Sequence, residues 1–218
     1  PFVSLRERTF VWLAENPIIL YAYVTGKKDI GQNALLVAPA NAAFFGFGMA
    51  LLQGITPYEE IRDDFAPSSV IYVAPTFRYT DLDGKQVVVH YRRPGMHEVF
   101  SYCLYPGPSA KKAAYSILLH QGEQEGWLTA HCSTVQVVTP YDNEVTFMHE
   151  GASGAGKSEM LEYPHREDDG RMLYGENLVT GEKRLHEQPR TCTLHPVTDD
   201  MALCHPSLQH NGKLTVTD

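Results

Sequence analysis

Residues 149–160 read HEGASGAGKSEM, and Gly151, Gly156, Lys157 and Ser158 in it satisfy the phosphate-loop spacing G-x-x-x-x-G-K-[ST]. The chemistry behind that spacing is specific. Glycines let consecutive backbone N–H groups turn toward one anion, and the start of the following helix adds its positive end. Lys157 brings charge to the β- and γ-phosphates, and Ser158 offers a hydroxyl to the Mg²⁺ of the nucleotide. The candidate nucleotide-binding residues are therefore Gly151, Ala152, Ser153, Gly154, Ala155, Gly156, Lys157, Ser158 and Glu159. EVTFMH, residues 144–149, reads as the strand feeding the loop. A helix is expected after the loop, halted by Pro164.

A phosphoryl-transfer site also needs an acidic metal anchor at a strand end, and two Asp-Asp pairs follow the loop. Asp168-Asp169 lies in HREDDGR, a polar run with no strand before it, and reads as solvated loop. Asp199-Asp200 lies in TLHPVTDDMAL, beside apolar positions. Adjacent carboxylates at a strand end can divide labour, one on a metal and one as base or water-orienter.

The rest of the chain reads as alternating helix and strand. Ser4 and Glu7 form a capping box for a helix over residues 5–15, stopped by Asn16-Pro17. IILYAYV, LLVAPA, VIYVAPT and EVFSYCLY read as strands, and TFRYTDLDGKQVVVHY as a hairpin turning at Asp83-Gly84. Residues 34–52 carry no charge over a length that could span a membrane. Pro39 and Asn41 interrupt them, so they read instead as a buried strand and a helix capped by Asn41. A composition change at PGPS places a domain boundary near residue 107, separating residues 1–107 from 108–218. Ser109 can cap the next helix, which carries Lys111 and Lys112 and ends before Gly122. WLTAHCSTVQVV alternates like a half-buried strand, and YGENLVTGEKRL reads as a polar hairpin. With Pro at its start and KLTVTD, a mid-strand pattern, at its end, the chain reads as a piece of a longer protein.

The 218 residues carry a formal net charge of -8, which argues against a nucleic-acid backbone as partner. Four widely spaced cysteines and no signal peptide point to a reduced, cytoplasmic setting. Cys192, His195, Cys204 and His205 have one usable zinc spacing, but Cys204 and His205 are adjacent and would diverge on a strand.

Four segments together resemble the phosphoenolpyruvate carboxykinase-like nucleotide-binding group, which includes HPr kinase/phosphorylase. GASGAGKSE is similar to its G-x-S-G-x-G-K-[ST] loop, with a Ser-Glu ending closer to HPr kinase. AHCST, residues 130–134, is similar to the carboxykinase H-C-S-A-N segment, Lys111-Lys112 to its Lys-Lys pair, and VTDDMA to the Asp-Asp of the second kinase motif. The resemblance implies an α/β fold of mixed α+β sheet: a carboxykinase-like P-loop domain preceded by an N-terminal α/β domain. It implies that Lys112, His131 and Asp200 bind a catalytic Mn²⁺ and that Lys111 contacts the transferred phosphoryl group. It further implies that Lys157 and Ser158 contact the nucleotide phosphates and Mg²⁺, and that Asp199 is the base, as in HPr kinase.

The sequence also departs from the group. Thr134 and Val135 replace the Ala-Asn of the His segment, the link from Pro164 to Asp199 is long, and TGKKD offers Lys27 where a substrate-binding Arg would be wanted. Arg92 and Arg93 are other possible anion contacts. The expected activity is ATP- or GTP-dependent phosphoryl transfer to a small carboxylate-bearing metabolite, with Mg²⁺ and Mn²⁺ and with neither nucleic acid nor membrane as partner. An HPr kinase-like protein kinase and a non-catalytic nucleotide-binding module are the rival readings.

Overall fold

The computed structural model describes residues 2–26, 29–103, 105, 107–161, 167–187, 192–210 and 212–217. It is a mixed α+β structure that divides into two compact units, Pro1–Gly126 and Trp127–Asp218. Lys27 and the expected helix stop at Pro164 lie outside the described residues.

The first unit opens with α1 (Phe2–Ala14). Ser4, the expected cap residue, lies inside this helix. The stop is as expected: the Asn16 side-chain amide donates to the Trp12 carbonyl at 2.7 Å, and Pro17 has no N–H to continue the ladder. β1 (Ile18–Thr25) and β2 (Gln32–Pro39) then pair antiparallel. The uncharged stretch resolves into the end of β2, a short turn at Ala40–Ala42, and α2 (Phe44–Gln53). Asn41 sits within that turn and makes no cap; α2 follows Ala43 without a side-chain cap bond. No helix among the described residues is long and apolar enough to cross a membrane.

β3 (Ser69–Val73) runs parallel to β2, and β5 (Met96–Ser101) runs parallel to β3. β4 (Val88–Arg93) closes the edge antiparallel to β5, giving the order β1-β2-β3-β5-β4. Its hairpin turns at Pro94-Gly95, where Gly95 takes φ 72°. Asp81–Gly84 is a separate short turn with Leu82 and Asp83 left-handed, so the expected Asp83-Gly84 hairpin is corrected. α3 (Lys112–Glu125) follows a wide turn at Gly107–Lys111. It ends at left-handed Gly126, not before Gly122, which is buried within it.

Both faces of this sheet are covered. Phe45 and Met49 of α2 and Ala113, Ala114 and Ile117 of α3 pack with Leu36, Ile71 and Val99. On the other face Leu5, Phe2, Phe10 and Trp12 of α1 pack with Phe100 and Tyr102. β3 and β5, clad on both sides, are buried almost throughout, as parallel strands usually are. Because α3 buries its apolar side in this core, the boundary expected near residue 107 falls inside the first unit.

Glu98 of β5 is only 2% exposed. Arg6 of α1 offsets its desolvation with two bonds, Nε to Oε2 at 2.9 Å and Nη2 to Oε1 at 2.7 Å, and Arg93 stands 3.3 Å away. Glu98→Ala leaves these guanidinium groups without their shared anion. It is expected to lower unfolding free energy by about 3 kcal/mol, read from the urea midpoint of the intact chain; a change below about 1 kcal/mol would remove this pair from the core's stability.

The second unit contains β6 (Leu128–Ala130), β7 (Cys132–Val138), β8 (Glu144–Glu150), the hairpin of β9 (Met172–Glu176) and β10 (Lys183–His186), β11 (Thr193–Thr198) and β12 (Ala202–Cys204). β7 is the middle of a three-stranded antiparallel sheet, β11-β7-β8, and β12 pairs with β6. The segment 127–138, expected as one strand, is therefore two strands separated at His131. None of the four cysteines, all among the described residues, is part of a disulfide.

Candidate functional site

The register of β7 with its neighbours assembles the site. In an antiparallel sheet the end of one strand lies beside the start of the next. Cys132 pairs with Glu150, the last residue of β8, and Thr134 pairs with Thr198, the last residue of β11. The segments that leave β8 and β11 thus emerge at the same end of the sheet as His131, which precedes β7. Those segments are the Gly-rich loop and Asp199-Asp200. A buried hydrogen bond from Thr198 Oγ1 to Thr134 Oγ1, 3.0 Å, holds this end in register.

Residues 151–157 form an irregular loop between β8 and a short turn of helix at Ser158–Met160. Gly154 and Gly156 take φ 81° and 85°, the left-handed region that glycine enters without strain. The Ala155 N–H donates to the Ala152 carbonyl at 3.1 Å, closing a tight turn. Lys157 is 8% exposed and folds back so that Nζ donates to the Ala152 carbonyl at 3.3 Å. Ser133 Oγ, from β7, donates to the Lys157 carbonyl at 2.8 Å in a buried bond. Only the single turn Ser158–Met160 of the expected helix falls among the described residues up to Leu161.

The two carboxylates at the end of β11 part company. Ser158 Oγ donates to Asp199 Oδ1 at 2.8 Å. Asp200 Oδ1 lies 3.0 Å from His131 Nε2, which carries the proton when it faces an ionised carboxylate. Asp200 takes φ 71°, a left-handed conformation that Asp tolerates better than most residues. This reversal occurs where the paired strands β6–β7 and β11–β12 are both interrupted, at 131 and at 199–201. The shared break frees His131 and Asp200 from the ladder and lets them meet.

Asp168-Asp169 is placed differently. Asp169 is committed to Arg171, through the Arg171 backbone N–H at 3.0 Å and Nε at 2.7 Å, in the turn from Glu167 to Gly170. These bonds hold the Asp169 carboxyl below its ordinary range, Arg171 being the main cause. Lys111 ends the wide turn before α3 and Lys112 begins α3, both half-buried in the first unit. The Lys112 ammonium lies 5.5 Å from the centre of the Tyr115 ring. Among the described residues, no group of three or more His, Cys, Asp and Glu side chains is placed to hold a metal ion.

One family, described as Domain of unknown function (DUF4914), has a sequence profile that matches residues 1–218. The chain belongs to this family. No curated protein matches it. Membership of the DUF4914 family carries no activity with it, so any reaction must be argued from the side chains.

Ser133 had no role in the sequence reading. Its only signal was a hydroxyl residue within AHCST, and what gives it a role is a register that local sequence does not encode. Ser133→Ala removes the side-chain donor that ties the Lys157 carbonyl to β7, leaving it only the Met160 N–H at 3.1 Å. The loop is expected to open more easily by about 1 kcal/mol, seen as faster amide hydrogen exchange over residues 151–158. Unchanged exchange there would disconnect β7 from the loop's order.

Proposed function

We propose that this chain carries the phosphate site of a nucleotide-dependent phosphoryl-transfer enzyme, related in design to the phosphoenolpyruvate carboxykinases and acting on a small carboxylate-bearing metabolite. The observation that carries this reading is the division of one dipeptide: Asp199 turns to Ser158 of the Gly-rich loop, and Asp200 turns to His131. A turn that merely resembled a phosphate loop would have no reason to present its hydroxyl to a carboxylate from a distant strand.

The donor chemistry suits two cations. Two ligands each about 2.1 Å from an octahedral ion stand about 3 Å apart, and Ser158 Oγ to Asp199 Oδ1 and His131 Nε2 to Asp200 Oδ1 span 2.8 and 3.0 Å. Ser158 and Asp199 would hold Mg²⁺, a hard ion suited to oxygen donors. His131 and Asp200 would hold Mn²⁺, which accepts imidazole beside carboxylate. Bound there, the cations would neutralise charge on the phosphates. The chain's own contribution is to orient and to hold protons. Backbone N–H groups of the loop, other than that of Ala155, would face the anion, Lys157 would exchange the Ala152 carbonyl for a phosphate oxygen, and Asp199 would accept the proton of an acceptor hydroxyl. Lys111 and Lys112 enter this reading through the resemblance alone.

The test is a screen of the intact protein for ATP and GTP consumption against small carboxylic acids, with Mg²⁺ and Mn²⁺. Lys157→Ala is expected to weaken nucleotide binding at least about tenfold, and Asp199→Asn both to weaken Mg²⁺-dependent nucleotide binding and to lower turnover about 100-fold. His131→Ala is expected to weaken Mn²⁺ binding and leave nucleotide binding nearly intact. Phosphoserine on a partner protein would instead mark a protein kinase. Nucleotide binding with no turnover on any acceptor would mark a sensing module, and no nucleotide binding at all would end the phosphate-site reading.

A further inference from the structure

The first unit contains a cavity of about 520 Å³ bordered by the β4–β5 hairpin and α3. That volume is in the range of sites for small organic molecules. Arg92 of β4 and His97 of β5 are directly paired across the hairpin, so both project to the face on which α3 supplies His120 and Gln121. His97 and Gln121 are buried, at 4% and 7% exposure.

Three buried polar atoms in this lining lack a hydrogen-bond partner among the described residues: His97 Nδ1, His120 Nδ1 and Gln121 Oε1. Buried polar groups are nearly always satisfied, so three orphans around one cavity call for an occupant. The neighbours do not serve. His97 Nε2 already meets His90 Nδ1 at 3.1 Å, and the Glu123 carboxylate stands 3.7 Å from His120 Nδ1, beyond hydrogen-bonding reach. The Gln121 amide N–H group donates to the Ile30 carbonyl and to Glu125, but its oxygen accepts nothing.

Charge selects the occupant. Arg92 is exposed and makes no ion pair among the described residues, whereas Arg93 is shared with Glu98. Glu125 also borders the cavity, but Gln32 and Gln121 amides occupy its carboxylate. Burial, with His90, Arg92 and His120 nearby, pushes the His97 pKa down to about 4, so this imidazole is neutral at pH 7. A cation would meet an uncompensated guanidinium here. An anion would meet that guanidinium and imidazole N–H donors, and Gln121 Oε1 requires a donor in return.

We propose that this cavity binds a small organic anion bearing a hydroxyl group, with Arg92 on the anionic head, His97 and His120 donating to it, and Gln121 Oε1 accepting the hydroxyl proton. A carboxylate and a phosphate head share this chemistry. The site lies wholly within the first unit and requires neither the Gly-rich loop nor Asp199-Asp200.

Titration calorimetry of the intact chain tests it, with malate against succinate for the carboxylate head, glycerol 3-phosphate against ethyl phosphate for the phosphate head, and glycerol as the neutral control. A hydroxyl-bearing anion is expected to bind with Kd below about 1 mM, tighter than its counterpart lacking the hydroxyl, and glycerol not at all. Whichever arm responds names the head. Arg92→Ala, at an exposed position, is expected to weaken binding at least about tenfold. Gln121→Met is expected to abolish the preference for the hydroxyl, and Lys157→Ala to leave binding unchanged, which separates this site from the nucleotide reading. Binding by neither arm, or unaltered affinity in Arg92→Ala, overturns the proposal.

Discussion

The buried hydrogen bond from Ser133 to the Lys157 carbonyl is the constraint on which the candidate site depends. It ties a Gly-rich loop, which has little structure of its own, to the central strand of its sheet. β7 then acts as the reference for everything else. Its pairing with β8 fixes where the loop begins, and its pairing with β11 fixes where Asp199-Asp200 emerges. A one-residue shift of β8 against β7 would displace the loop from Ser133, and one of β11 would turn Thr198 away from Thr134, each breaking one of the buried bonds. The precision of the site therefore resides in strand pairing, while the glycines supply only permission to turn.

How much of this could be read from sequence depended on whether the deciding physics was local. The loop and its feeding strand were legible because glycine conformational freedom and strand patterning act within a few residues. Asp199-Asp200 was distinguishable from Asp168-Asp169 because apolar neighbours mark a strand end, and an unshielded polar run marks a loop. Errors arose where two local signals were equally good and burial decided between them. Asp83-Gly84 does turn, as its residues suggest, but β5 is a core strand and takes as its partner the segment nearest to it, through Pro94-Gly95. Gly122 looked like a helix end, yet it is buried inside α3, which continues to Gly126. Ser4 and Asn41 are competent cap residues by type, but Ser4 lies inside α1 and Asn41 in a separate turn that ends before Ala43, from which α2 starts. The Ser133 contact and the break shared by His131 and Asp200 were beyond local reading because both are products of long-range pairing.

The two units use polar groups by different logic. In the second, the Ser158 hydroxyl and the Asp199 and Asp200 carboxylates are exposed or half-exposed and each paired with a neighbouring side chain, an arrangement that can be exchanged for ligands at small cost. In the first, one buried carboxylate is satisfied by a fork of guanidinium bonds, while three other buried polar atoms are left unsatisfied around a cavity. A satisfied buried charge specifies packing; unsatisfied buried atoms specify a missing neighbour.

Lys157, folded onto the Ala152 carbonyl, has a consequence for timing. On the proposed phosphate-site reading, an incoming anion would not simply add to an open cradle, because the Lys157 ammonium is already engaged with the loop's own backbone. Capture would then be an exchange of acceptors, with release of the lysine as a step separate from encounter. The observed association rate would then rise with anion concentration only until release becomes limiting, and would level off at the rate at which the lysine lets go of its own chain.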